Sequence, residues 1–155
     1  MNGPRIKTLD IETSPITAYV WGTFKVNVGL NQIIQEWSVL SYCVKDFGVK
    51  KVRYEDTSDK ADPRDDRDLM VKLHAELTDC DIVIAQNGVA FDLKKINARF
   101  IEHGLPPVPP IKCIDTMLVA KQVAKFTSNK LEWLSKHLTD VPKYDHAKFP
   151  GMELW

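Results

Sequence analysis

The chain has 155 residues, 44% hydrophobic and 27% charged, with 7 Gly and 9 Pro, which is the composition of one globular domain and excludes collagen, coiled coil and extended disorder. Twenty-one Lys and Arg balance 21 Asp and Glu, so no global basic field advertises nucleic acid or an anionic membrane. No run of about 18 apolar residues is present, and Asp10 and Glu12 fall where a signal peptide would be apolar, which leaves a soluble, intracellular, cytoplasmic protein as the expectation, with no membrane partner.

Residues 5–11 alternate and end on polar residues, with Ile6, Leu9 and Ile11 apolar, and read as a strand. Residues 18–28 (AYVWGTFKVNV) are aromatic and β-branched and read as a strand or hairpin, with Tyr19, Trp21 and Phe24 on a sheet face or in the core, or else available to stack on bases. Two further strands over 37–44 and 50–54 meet at Asp46–Gly48, and an antiparallel meander is the simplest arrangement. The Asp-rich stretch 56–68 reads as a solvated loop leading into a helix, in which Leu69, Leu73 and Leu77 recur on one face to about Thr78.

The short apolar run 81–86 (DIVIAQ) reads as a buried strand stopped by Asn87 and Gly88. A helix follows over 91–103 with Leu93, Ile96 and Phe100 on one face and Gly104 as its stop. PPVPP at 106–110 is a rigid connector, 111–114 a strand closing on Asp115, and 116–123 and 130–138 two helices, the second burying Leu131, Leu134 and Leu138. Strands first and then alternating helix and strand indicate an α/β fold, a mixed sheet with helices packed on it. The odd, widely spaced Cys43, Cys80 and Cys113 read as reduced core thiols. Charge is uneven: residues 1–92 sum to −4 and residues 93–155 to +4, which suits cations held by one part and a polyanion by the other.

Asp10 and Glu12, two apart at a strand end, project from the same face. Paired carboxylates repel, and either solvent at a strand end or hard divalent cations compensate. Asp92 opens a helix directly after the apolar strand 81–86, where it complements the helix dipole, and where ligands of such folds gather at strand carboxyl ends. His74 and His103 read as structural or surface residues. Lys94, Lys95 and Arg99 read equally as a solvated helix face and as phosphate contacts.

Leu9-Asp10-Ile11-Glu12-Thr13 resembles the first motif, and Asn87-Gly88-Val89-Ala90-Phe91-Asp92 the second, of the DEDD-type 3′→5′ exonucleases, a family that includes the proofreading domains of DNA polymerases; Ile114-Asp115-Thr116-Met117 resembles the Asp-Thr strand end downstream of the second motif. The resemblance covers residues 5 to about 138 and implies a ribonuclease H-like fold. It also implies a two-metal mechanism in which Asp10, Glu12 and Asp92 are catalytic and hold two Mg²⁺ or Mn²⁺ ions, releasing 5′-mononucleotides from a single-stranded DNA or RNA 3′ end. By the same analogy Thr13, Asn87 and Phe91 hold the terminal nucleotide, Phe91 being equally suited to the core.

The last family motif, a carboxylate preceded by Tyr at four residues or His at five, has no match in 115–155; Asp140 and Asp145 are carboxylates without that context. Residues 145–155 look like the approach to the final helix. The expectation is therefore a single exonuclease-like domain over 1–155, truncated at its C-terminal end, exposing an apolar patch that favours self-association or a protein partner. Two other readings remain: a non-catalytic ribonuclease H-like module binding nucleic-acid ends or protein, and a structure-specific endonuclease of the same fold.

Overall fold

The computed structural model describes residues 3–143. Five strands form one mixed sheet in the order β5-β4-β1-β6-β7: β1 (Ile6–Thr13), β4 (Val39–Asp46), β5 (Arg53–Asp56), β6 (Ile82–Ala85) and β7 (Lys112–Asp115). β4 is antiparallel to β1 and to β5, whereas β6 is parallel to β1 and to β7. The central strand β1 buries Leu9 and Ile11 on one face, opposite Val44 and Tyr42 of β4. On that face lie α1 (Arg67–Thr78) and α2 (Asp92–Glu102), whose Leu69, Met70, Leu73, Leu77, Ile96 and Phe100 complete one core with Val83 of β6. Each such side chain contributes about 1.5–3 kcal/mol by leaving water. Gly104, at φ +70°, takes the left-handed conformation that ends α2. The chain closes with α3 (Thr116–Val123) and α4 (Leu131–Leu138). The α/β fold class, a mixed sheet flanked by helices, is the one expected.

Several local expectations are corrected. Residues 18–28 do not form a strand of the sheet: β2 is Thr17–Ala18 alone, paired with the short β3 (Ile33–Gln35), and β1 pairs directly with β4. Propensity in this segment has no face to pack on, so Tyr19, Trp21 and Phe24 stand 72%, 99% and 82% exposed rather than in a core or sheet face. Asp66 does not belong to a solvated loop; it is fully buried, accepting from the Val39 N–H at 2.8 Å and from Arg99 and His103. Arg99 is thereby committed to an ion pair inside the fold and is no phosphate contact, while His103 keeps its structural reading.

In α4 only Leu134 of the three expected leucines is buried; Leu131 and Leu138 face outward, because the helix is short and buries only its Leu134–Ser135 edge. All three cysteines are free, but Cys80 alone is buried and Cys43 and Cys113 are half-buried. The expected approach to a final helix, and Asp145 with it, lie outside the described residues. Among the described residues no helix is long and apolar enough to cross a membrane.

Candidate active site

β1 and β6 pair only from Ile6 with Ile82 to Thr8 with Ile84, so β1 runs on past the end of its parallel neighbour. The overhang carries Asp10 and Glu12 on the face opposite Leu9 and Ile11, with Cys43 and Ser41 beside them on β4. Between the two acids the Ile11 N–H points where β6 has stopped. It donates instead to Asp92 Oδ1 at 3.2 Å, across 81 residues of sequence. Asp92 opens α2 and is 3% exposed. The two acidic motifs are therefore joined by a hydrogen bond and do not merely face one another.

The loop that delivers Asp92 is tightly specified. Asn87 sits at φ +62°, a left-handed conformation that Asn tolerates better than most residues. A Cβ on Gly88 would lie 2.5 Å from the Ala85 Cβ, which leaves room for glycine alone. The Asp115 carboxylate accepts the Asn87 N–H at 3.0 Å and the Val89 N–H at 3.2 Å. It also caps α3 by accepting the Met117 and Leu118 N–H groups at 3.0 and 3.3 Å. The Asn87 carbonyl accepts from Ala90 and Phe91, and the Gly88 carbonyl from Leu93 at 3.0 Å, carrying the turn into α2.

Burial, the nearby charge of Asp10 and, more weakly, that of Glu12 push the Asp92 carboxyl up to about 6, against the stabilising N–H groups of its own backbone and of Ile11. Burial also raises Asp10, opposed by the cationic Lys143. The Cys43 thiol is raised by burial and by the charges of Asp10 and Glu12. The part of the Asp92 rise that comes from Asp10 means that these two acids stand close enough to resist ionising together. A divalent cation would relieve that repulsion.

The donors are hard carboxylate oxygens, the chemistry Mg²⁺ and Mn²⁺ prefer. Among the described residues no three His, Cys, Asp or Glu side chains form a group that would hold one ion unaided. Mg²⁺ commonly keeps several waters and binds through one or two carboxylates plus substrate phosphates, a use that Asp10 and Asp92 fit.

Of the remaining expected site residues, Thr13 ends β1 at an irregularity in its pairing with Val39, and Asn87 lies half-buried on the held loop. Phe91 is 38% exposed, with Lys95 Nζ 5.9 Å from its ring and 3.5 Å from that of Trp37, so it is neither core nor fully free. Asp140 is exposed beyond α4, and the charge from this segment that bears on Asp10 is Lys143, not a carboxylate. Two roles escape sequence reading. Asp115 carries a recognisable helix-capping signal but no sign that it holds Asn87, and Lys143 carries no signal at all.

No family model matches the chain. It is similar to a PolC-type DNA polymerase III of Ureaplasma parvum serovar 3, 32% identical over 72 residues, which is 46% of this chain and 5% of that protein. The chain thus spans a small fraction of that relative's length. Among solved structures it resembles the family B DNA polymerase of the hyperthermophilic archaeon Pyrobaculum calidifontis, with a TM-score of 0.58 and 15% identity over 87% of this chain and 18% of that one. A likeness at that identity speaks to the fold.

Proposed function

We propose that this chain is a metal-dependent 3′→5′ exonuclease domain that releases 5′-mononucleotides from single-stranded or frayed DNA or RNA ends. The observation that carries the reading is the buried Asp92 carboxyl held on the Ile11 N–H, midway between Asp10 and Glu12. Similarity in sequence and in fold to two DNA polymerases supports a role on nucleic acid. The similarity of Leu9–Thr13 and Asn87–Asp92 to DEDD motifs supports the finer assignment.

In this reading Asp10, Glu12 and Asp92 hold a pair of Mg²⁺ or Mn²⁺ ions, which supply a water of lowered pKa and neutralise charge on the entering and leaving oxygens. The chain's own residues do the positioning. Ile11 fixes the Asp92 carboxylate by its N–H, Asp115 and Gly88 fix the loop that presents it, and Lys143 moderates the negative field at Asp10. Thr13, Asn87 and the exposed edge of Phe91 border the place of the terminal nucleotide.

End-labelled single-stranded DNA and RNA, incubated with the protein with and without Mn²⁺, test the proposal. Mononucleotide release that requires Mn²⁺ and falls at least 100-fold in both Asp10→Ala and Asp92→Asn is the expected result. Absence of release, or release unaffected by either substitution, overturns it. A non-catalytic nucleic-acid-binding module is the second reading, favoured by the lack of a self-sufficient three-ligand group among the described residues. That module would bind ends without cutting and without competition from divalent ions. Cutting of a circular single strand would point instead to an endonuclease.

A further inference from the structure

Beside the acidic site, the carboxyl edge of the sheet opens into a cavity of about 510 Å³. Gln86 and Asn87, which follow β6 and begin the Asp92 loop, line it. Lys121 lines it from α3, Lys130 from the start of α4, and Lys143 from the segment beyond. Among the described residues Glu132 is the single acid of the lining, so there three cations face one anion next to a site built from Asp10, Glu12 and Asp92. Among the described residues, none of these three lysines is in a salt bridge.

The wall is held in shape without any ligand. Gln86 donates from Nε2 to the Asn129 carbonyl at 2.9 Å and accepts from the Thr116 hydroxyl at 2.5 Å, pinning the entry to α4 against the start of α3. The side-chain oxygen of Asn129, also on the lining, is buried with no hydrogen-bond partner among the described residues. Met117 and the half-exposed Leu131 add apolar surface to the same walls.

We propose that this cavity is a nucleotide subsite. Its lysines take a phosphate, and Met117 and Leu131 take the sugar or base. The size falls within the ~300–1,000 Å³ usual for small-molecule pockets. Asn87 both lines the cavity and begins the loop that presents Asp92, so the subsite adjoins the acidic site. A strand passing the acids would lay a phosphate here, and a released mononucleotide presents the same chemistry. The assignment rests on the exonuclease reading for why a nucleotide should come here, but binding can be measured without hydrolysis.

The full chain in EDTA is titrated by fluorescence anisotropy with 5′-fluorescein-labelled single-stranded dT8, and by NMR of the side-chain amides with dT8, dTMP and inorganic phosphate. The test variant is Lys121→Gln with Lys130→Gln, both exposed, and the control is Lys50→Gln with Lys51→Gln, exposed before β5; circular dichroism checks folding of each. The expected result is dT8 binding at least 10-fold weaker in the test variant, a salt slope smaller by about 1.4 for two single-strand contacts, and a control within twofold of wild type. The Asn129 amide should move with a nucleotide: movement with dTMP identifies the mononucleotide as a ligand, and movement with dT8 alone identifies the strand phosphodiester.

Equal dT8 binding by test and control variants, or an Asn129 amide that responds to none of the probes or to inorganic phosphate as strongly as to nucleotide, overturns the proposal. Mn²⁺-dependent hydrolysis is assayed in parallel. Hydrolysis lost in Asp10→Ala together with unaltered binding by the lysine variant removes the subsite and keeps the exonuclease. Weakened binding with no hydrolysis by wild type does the reverse.

Discussion

The Asp115 carboxylate accepts the backbone N–H of Asn87 at 3.0 Å and at the same time caps α3, so one buried side chain ties the end of β7 to the loop that presents Asp92. Neither role could be filled by a neutral apolar residue, because the N–H groups of Asn87, Val89, Met117 and Leu118 would all lose their acceptor. Losing a cap costs about 1 kcal/mol and each orphaned buried donor about 1–3. Asp115→Ala is accordingly expected to lower stability by about 2–4 kcal/mol in urea denaturation. It should also reduce any Mn²⁺-dependent cleavage more than its stability loss explains, by loosening Asn87. A variant as stable as wild type would show that the bracket is dispensable.

Asp92 should make the fold more stable in acid than in mild alkali as far as this one group is concerned. Its carboxyl titrates near 6 in the folded chain against 3.8 when unperturbed. The folded state therefore holds a proton more tightly, and that contribution is present below about pH 4 and lost as pH rises through 6. Asp92→Asn, whose side-chain oxygen can still accept from Ile11, should then stabilise the metal-free protein at pH 8 by up to roughly 3 kcal/mol and have little effect at pH 4. Mn²⁺ should raise the Tm of wild type at pH 8 but not that of the variant. A variant less stable than wild type at pH 8 would refute the account.

The buried Asp66 responds in the opposite sense. Burial pushes its carboxyl up, but hydrogen bonds from Arg99, the Val39 N–H and His103 outweigh that and hold it below the usual carboxylate range. Its stabilising contribution is full above the unfolded carboxylate pKa and is lost as pH falls below about 4. Asp66→Ala, which leaves the largely buried Arg99 guanidinium with the exposed Glu102 as its one remaining ion-pair partner among the described residues, should cost about 3 kcal/mol at pH 7 by thermal or urea unfolding. The difference from wild type should narrow at pH 3.

The exposed segment after β2 gives a prediction of near neutrality. Trp21 is 99% exposed and packs on nothing, so Trp21→Ala should shift stability by less than about 0.5 kcal/mol. A loss above 1 kcal/mol would mean that the side chain has a partner in solution. A large loss of single-stranded nucleic-acid binding by the still-folded variant would assign the ring to base stacking.

Much of the fold was legible in the chain because its signals are local. Leu9 and Ile11 alternate with Asp10 and Glu12, so β1 and the shared face of the two acids follow from a two-residue period. The run from Ile82 to Ala85, the four-residue recurrence of Leu69, Leu73 and Leu77, and Gly104 as a stop are equally local, and each element formed within a few residues of its expected bounds. The Asp10–Glu12 pair and the later Asp92 stood out as candidates for the same reason, by their places at a strand end and a helix start.

What tertiary structure alone decided are the relations that span the chain. Asp66 reads as one more acid of a polar loop until Arg99 and His103, more than thirty residues on, close over it. The aromatic segment around Trp21 has strand propensity but no sheet edge to join, because β4 occupies the side of β1 it would need. The cavity lined by Lys121, Lys130 and Lys143 draws on three separate stretches of sequence. Propensity and periodicity act between near neighbours, whereas burial of a charge, pairing of strands and closure of a cavity depend on which distant segments the packed core brings together.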